Sequence, residues 1–156
     1  MKTKTMKPVL GILLVAFLSL GIYAFNAPKE NKEVSIAKVK TASTYHKTIK
    51  VNGVDIFYRE AGDVKKPTIV LLHGYPTSSH MFRNLITDLS VRYHVLAPDY
   101  PGYGRSEQPA MKDFDYTFDN MSLLVEGFLQ KLNVEKYSLY LMDYGAPIGF
   151  RIAAKY

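Results

Sequence analysis

The second half of the chain alternates short apolar runs with longer amphipathic ones. Thr68–Leu72, Tyr93–Asp99 and Val134–Met142 are mostly apolar, as is typical of strands buried on both faces of a parallel sheet. Apolar residues three to four positions apart predict a helix from Met81 to Leu89, with Ser78 or Ser79 as its cap, and another over Thr117–Leu132, capped by Thr117. Strands that alternate with helices imply an α/β fold with helices on both faces of a mostly parallel sheet.

A hairpin is predicted before the first of these strands. Thr48–Val51 and Val54–Arg59 are β-prone runs separated only by Asn52-Gly53. Asn-Gly between two such runs favours a two-residue turn with both residues at positive φ.

The run that ends at Met142 stops at a single carboxylate, Asp143. Gly145 follows two residues later, and a helix-like run begins at once. This pattern has two interpretations. An Asp at a strand-to-helix junction is a good helix N-cap. A nucleophile on a sharp turn above a sheet has the same pattern, although small residues are usual two positions on each side of it and Leu141 is large.

The N-terminal segment has the pattern of a targeting sequence. Three lysines precede an uncharged, mostly apolar run over residues 8–25. We interpret residues 1–27 as a signal peptide or a membrane anchor, and residues 28–45 as a polar linker. We therefore expect a protein that is exported, either to the periplasm or by secretion, or that is anchored in a membrane through residues 8–25.

The net charge of +6 is unevenly distributed. Residues 1–50 carry nine Lys and two Glu, whereas residues 51–156 carry eleven Lys or Arg and twelve Asp or Glu. The folded part is therefore not basic, and the sequence predicts no nucleic-acid partner. The absence of Cys excludes disulfides and thiolate chemistry.

Three motifs occur in a fixed order: His73-Gly74-Tyr75-Pro76, then Asp99–Ser106 with its three-residue core Gly102-Tyr103-Gly104, then Met142–Gly145. Together they resemble the α/β-hydrolase fold, in the branch with an Asp nucleophile that includes epoxide hydrolases and haloalkane and haloacetate dehalogenases. The resemblance covers residues 46–156 and implies the N-terminal half of the domain, truncated after the nucleophile turn.

The resemblance implies a role for each motif. Asp143 would be the nucleophile, attacking a saturated carbon to form an alkyl ester, and the backbone N–H groups of Tyr75 and Tyr144 would form the oxyanion hole. No metal, nucleotide or organic cofactor is implied. The remaining motif residues would have structural roles: His73, Gly74, Pro76, Asp99, Gly102, Gly104, Ser106 and Gly145.

The resemblance also sets limits on activity. In this fold the acid and the catalytic His follow the nucleophile in the chain, together with a cap domain, so we expect a truncated product that does not turn over. The substrate would be a small molecule. Haloalkane dehalogenases often hold the halide with side-chain N–H groups at the positions of Tyr75 and Tyr144, which favours an epoxide hydrolase-like activity here. A dehalogenase-like hydrolase and a non-catalytic binding fragment are the alternatives, and the oligomeric state is left open.

Overall fold

A mixed sheet runs through residues 43–155, the part of the chain that the computed structural model describes. Its strands lie in the order β1-β2-β4-β3-β5. Their bounds are β1 Tyr45–Val51, β2 Val54–Ala61, β3 Thr68–Leu72, β4 His94–Pro98 and β5 Tyr137–Leu141.

The predicted hairpin is present at the start of this region. β1 and β2 pair antiparallel with Val51 opposite Val54. The two turn residues, Asn52 and Gly53, have φ values of 49° and 88°. Both therefore adopt the left-handed conformation that an Asn-Gly turn favours, because Asn and Gly tolerate it best.

β3 lies at the centre of the parallel part of the sheet. It pairs parallel with β4 on one side and with β5 on the other, and Leu72 at its end lies opposite Leu141 at the end of β5. The loops that follow parallel strands leave the sheet at the same edge. The chain after Leu72 therefore meets the chain after Leu141, which brings the first and last motifs together.

The predicted helices are present, and two hydroxyl side chains cap them. A 3₁₀ turn begins after Ser78, whose side chain accepts from the N–H of His80. Thr117 accepts from the N–H of Asn120 in the same way. The helical elements are the 3₁₀ turn Ser79–Phe82, α1 Arg83–Leu89, α2 Phe118–Lys131 and α3 Gly145–Ala153.

Apolar side chains fill both faces of the sheet, as the continuous apolar strands predict. Val70 and Leu72 pack on one face with residues of α2 and α3, including Phe128 and Ile148. Leu71 points to the opposite face and packs with residues of the 3₁₀ turn and α1, including Ile86. This two-sided burial confirms the predicted α/β architecture.

The predicted leader and nearly all of the predicted linker lie outside the described residues. β1 begins at Tyr45, the last residue of that linker. No helix within residues 43–155 has the length and apolarity needed to cross a membrane. Within the same residues, β5 pairs with β3 alone, so it forms one edge of the sheet.

Candidate active site

Asp143 lies at the apex of a tight turn between β5 and α3. Its φ is 49°, in the left-handed region that costs energy for residues other than Gly. The N–H of Gly145 donates to the carbonyl of Met142, and that of Ala146 to the carbonyl of Asp143, both at 2.8 Å. The turn therefore presents an exposed Asp143 side chain above the ends of the parallel strands.

The capping interpretation of Asp143 does not fit this geometry. The N-cap of α3 is Tyr144, and its side chain makes no capping hydrogen bond. The Asp143 carboxylate instead accepts one bond from the adjacent residue and one from a distant loop.

Both hydrogen bonds converge on one carboxylate oxygen. Oδ1 of Asp143 accepts from the N–H of Tyr75 at 2.8 Å and from the N–H of Tyr144 at 2.6 Å. Oδ2 makes no hydrogen bond with residues 43–155. The Tyr75 N–H, and after it the Tyr144 N–H, hold the pKa of Asp143 below its usual value because they stabilise the charged form. The carboxylate is therefore anionic at neutral pH, with one oxygen held and the other open.

Two glycines allow the loops to approach this closely. A Cβ on Gly74 would lie 2.4 Å from Cβ of Asp143, and a Cβ on Gly145 would lie 2.3 Å from the carbonyl oxygen of Leu72. Neither distance is compatible with a side chain. The close packing of the two loops therefore requires Gly at both positions. The sequence motifs had predicted a structural role for both residues.

Leu141 departs from the expected small residue, and α3 accommodates it. A Cβ on Gly149 would lie 2.2 Å from Cδ2 of Leu141. Because Gly149 has no side chain, α3 leaves room for the large Leu141 side chain. Sequence reasoning did not single out Gly149, although its spacing of four from Gly145 places both on one helix face.

His73 is fully buried below the loop that carries Tyr75. Its Nδ1 lies 3.0 Å from the carbonyl of Gly74, and its Nε2 accepts from the N–H of Tyr100 at 3.3 Å. Burial lowers the pKa of His73. Both nitrogens are occupied, which is the environment expected of a structural residue. The Tyr75-Pro76 peptide bond after it is cis.

Hydrogen bonds to the Asp99 carboxylate connect the second motif to the loop that follows the first. Its carboxylate is buried and accepts from the N–H of Ser79 at 2.6 Å and from the N–H of Arg105 at 2.9 Å. The Ser106 hydroxyl donates to the Asp99 carbonyl at 2.7 Å. A Cβ on Gly104, where φ is 55°, would collide with the Asp99 carboxylate. This loop therefore supports the first motif, and the two hydrogen bonds to the Asp143 carboxylate come from other residues.

Gly102, in the same loop, also adopts a positive φ, of 80°. Its N–H donates to the carbonyl of Glu107 at 3.0 Å. This hydrogen bond closes the loop of the second motif.

The other histidines lie away from Asp143. His46 and His80 both contact the Arg59 guanidinium, while His94 bonds Glu60 at 2.8 Å. No His within residues 43–155 hydrogen-bonds to Asp143, and no cluster of three potential metal ligands occurs in that part of the chain.

Aromatic rings surround the turn. The Tyr144 ring lies 5.6 Å from that of Tyr75 and 5.2 Å, edge to face, from that of Phe118. Phe118, the first residue of α2, was not expected at the site, and only the packing of α2 on α3 brings it there. A cavity of about 870 Å³ lies between α2, β5 and α3 and does not include Asp143. None of the motif residues lines this cavity.

Comparisons with known proteins agree with this geometry. The chain is 46% identical over 112 residues to an uncharacterized hydrolase of Saccharomyces cerevisiae, covering 72% of this chain and 38% of the relative. It is 40% identical over 99 residues to a haloalkane dehalogenase of Mycolicibacterium paratuberculosis, covering 63% and 33%. The chain thus spans about a third of the length of these relatives.

Solved structures of two kinds are similar. A haloalkane dehalogenase from Bradyrhizobium elkani matches with a TM-score of 0.65 at 32% identity, over 73% of this chain and 38% of that one. An epoxide hydrolase from Vigna radiata matches with a TM-score of 0.66 at 30% identity, over 71% and 36%. A family model of the alpha/beta hydrolase fold matches residues 67–156, more than half of the chain. The protein therefore belongs to the alpha/beta hydrolase fold family.

Proposed function

We propose that this protein is a hydrolase that acts on a small molecule through an alkyl ester on Asp143, with epoxides as the favoured substrate class. The observation that carries the proposal is the asymmetry of the Asp143 carboxylate, in which two N–H groups hold Oδ1 and Oδ2 is open. The open oxygen is an anion, so it can attack a saturated carbon without a base.

The held oxygen has its function in the second step. Once Oδ2 is alkylated, Oδ1 is the carbonyl oxygen of an ester. Water attacking Cγ would put negative charge on Oδ1, which already lies 2.8 and 2.6 Å from two backbone donors. Donors at this distance from a developing oxyanion are typical of an oxyanion hole. Tyr75 and Tyr144 thus have the same role in this proposal as in the resemblance.

The second step also needs a base to activate the water. No His within residues 43–155 is in hydrogen-bond contact with Asp143, and His73 is buried with both nitrogens occupied. We therefore expect the ester to persist on this chain, so that it can be detected as a covalent adduct.

Dehalogenation is the second candidate, because several relatives are haloalkane dehalogenases. The first step would be the same attack by Oδ2, with a halide as the leaving group. Ring opening of an epoxide adds the whole substrate to Asp143, whereas displacement of a halide adds only the alkyl group. Intact mass therefore separates the two reactions.

The test is incubation of the full chain with styrene oxide or with 1-bromobutane, followed by intact mass and peptide mapping. We expect one adduct per chain, on Asp143, which is lost in Asp143→Asn. Asp113→Asn, at another exposed Asp, is the matched control and should keep the adduct. Adducts spread over several carboxylates, or unchanged in Asp143→Asn, would contradict the proposal and favour the non-catalytic alternative.

Export or membrane anchoring is a separate part of the proposal, supported by the lysines and the apolar run within residues 1–27. Fractionation of source cells tests it: the chain is expected in the exported or the membrane fraction. Recovery only from the cytosol would contradict it.

A further inference from the structure

Four basic side chains lie together beside β2. Phe57 and Arg59 are two positions apart on this strand, so their side chains point to the same face of the sheet. His46 on β1 lies directly opposite Arg59 in the antiparallel pairing. His80 belongs to the 3₁₀ turn, and Arg105 to the loop of the second motif. We call His46, Arg59, His80 and Arg105 the basic cluster.

The ring of Phe57 is a shared contact of three members of the cluster. The guanidinium carbons of Arg59 and Arg105 lie 5.5 and 4.6 Å from its centroid, and the His46 ring lies 5.7 Å from it. Phe57 itself is buried. Because the face of an aromatic ring attracts cations, this one ring holds two like charges near each other.

Arg59 is the centre of the cluster. Its Nε donates to the Ser79 hydroxyl at 3.1 Å. Its terminal nitrogens lie 2.6 Å from Nε2 of His46 and 3.5 Å from Nδ1 of His80. A guanidinium can only donate, so the hydroxyl and the imidazole nitrogens act as acceptors. None of these three partners carries a negative charge that would balance Arg59.

The two arginines have no acidic partner within residues 43–155. None of the salt bridges in this part of the chain includes Arg59 or Arg105. The buried Asp99 acts on Arg59 from a distance, but its carboxylate is already bonded to the backbone N–H groups of Ser79 and Arg105. The exposed Arg105 guanidinium makes no hydrogen bond with residues 43–155, so its N–H groups are open to a ligand.

The charges of the cluster act on one another. Burial lowers the pKa of Arg59, and although Asp99 opposes this, the nearby Arg105 lowers it further. Burial also lowers the pKa of His46, as do the charges of Arg59, Arg105 and His80. A field that disfavours further positive charge favours an anion at the same place.

We propose that the basic cluster binds a phosphate group, either as the free ion or as part of a small phosphate ester. The planar donor sets of Arg59 and Arg105 suit the oxygens of phosphate, and Arg is the usual residue for such recognition. A phosphate dianion would balance the two guanidinium charges at once. Binding involves no reaction at Asp143, so it is independent of the proposed function.

Calorimetric titration of the full chain with inorganic phosphate, with NaCl keeping the ionic strength constant, tests the proposal. We expect one site per chain. Arg105→Gln should weaken binding at least about tenfold, because it removes donors that the fold does not use. Arg92→Gln is the matched control: Arg92 is exposed, lies before β4 and carries the same charge. This variant should bind phosphate within about twofold of the unsubstituted chain.

Thermal unfolding in phosphate and in chloride at equal ionic strength gives an independent result. A ligand that binds only the folded state raises its stability. Phosphate should therefore raise the unfolding temperature of the unsubstituted chain and of Arg92→Gln more than that of Arg105→Gln. Comparison of the three proteins in chloride shows whether either substitution has damaged the fold.

Titration with glycerol 3-phosphate separates the two sources of the phosphate group. An affinity at least equal to that for inorganic phosphate would indicate an ester as the ligand, and a lower affinity would indicate the free ion. Absence of binding with both probes would overturn the proposal. Equal weakening in Arg105→Gln and Arg92→Gln would overturn it as well, because binding would then reflect net charge and no particular site.

Discussion

The backbone N–H of Tyr75 lies 2.8 Å from Oδ1 of Asp143, although the two residues are 68 positions apart in the chain. The contact exists because β3 and β5 are parallel neighbours that end level with each other. It requires Gly74, the residue between the buried His73 and Tyr75, to touch the Asp143 side chain directly.

Substitution of Gly74 by Ala tests this approach. The new methyl group in Gly74→Ala would lie 2.4 Å from Cβ of Asp143, so one of the two loops must move. We expect about 1–3 kcal/mol of destabilisation, as for other overpacked sites, and loss of adduct formation on Asp143. Urea unfolding and intact mass give the two results.

Gly127→Ala is the comparison for this variant, since its new Cβ would meet the Val51 side chain at 3.0 Å, away from the site. It should keep adduct formation on Asp143. A Gly74→Ala variant as stable and as reactive as the unsubstituted chain would contradict the packing of Gly74 on Asp143.

Leu141 and Gly149 should be coupled energetically. Gly149→Ala puts a Cβ 2.2 Å from Leu141 Cδ2 and is expected to cost about 1–3 kcal/mol. Leu141→Ala opens the space that the new methyl group needs. In a double-mutant cycle, we expect the pair to lose less stability than the two single changes added together, by about 0.5–3 kcal/mol. Additive losses in urea unfolding would show that the two residues do not share this space.

Acid should destabilise the fold through His73. Burial lowers its pKa, so the folded state keeps the ring neutral while the unfolded state takes up a proton near the ordinary His pKa of about 6.5. This contribution to stability is complete above that pH and falls as the pH decreases toward the folded-state pKa.

NMR titration of the imidazole signals measures this pKa directly, and urea unfolding at several pH values measures its effect. A His73 pKa at or above about 6.5 would contradict the expectation.

Tyr100→Phe should stabilise the protein. The Tyr100 hydroxyl is buried and has no hydrogen-bond partner within residues 43–155. An unsatisfied buried polar group costs about 1–3 kcal/mol, so its removal at constant shape is expected to raise stability by up to about this amount. Tyr116→Phe is the opposite control, because it removes the 2.6 Å hydrogen bond to the carbonyl of Pro109. A less stable Tyr100→Phe variant in urea unfolding would indicate that the hydroxyl is satisfied, for example by a buried water.

The ends of the strands could be predicted from the sequence in one case and not in the other. β3 covers Thr68–Leu72, the same residues as the predicted strand, because a polar lysine pair and Pro67 precede it and the first motif follows it. β5 was predicted from Val134 and begins at Tyr137. The N–H of Val134 bonds back to the Leu129 carbonyl at 3.0 Å, so the end of α2 takes up an apolar residue that the pattern assigns to the strand.

The alternation of strands and helices, the hairpin turn at Asn52-Gly53 and the turn at Asp143 could be predicted from the sequence, because they depend on residues close in the chain. Three relationships could not be predicted: β3 lies between β4 and β5, Tyr75 reaches Oδ1 of Asp143, and Gly149 makes room for Leu141. These relationships depend on which elements become neighbours in space. Packing over the whole domain determines that choice, and no local pattern of residues encodes it.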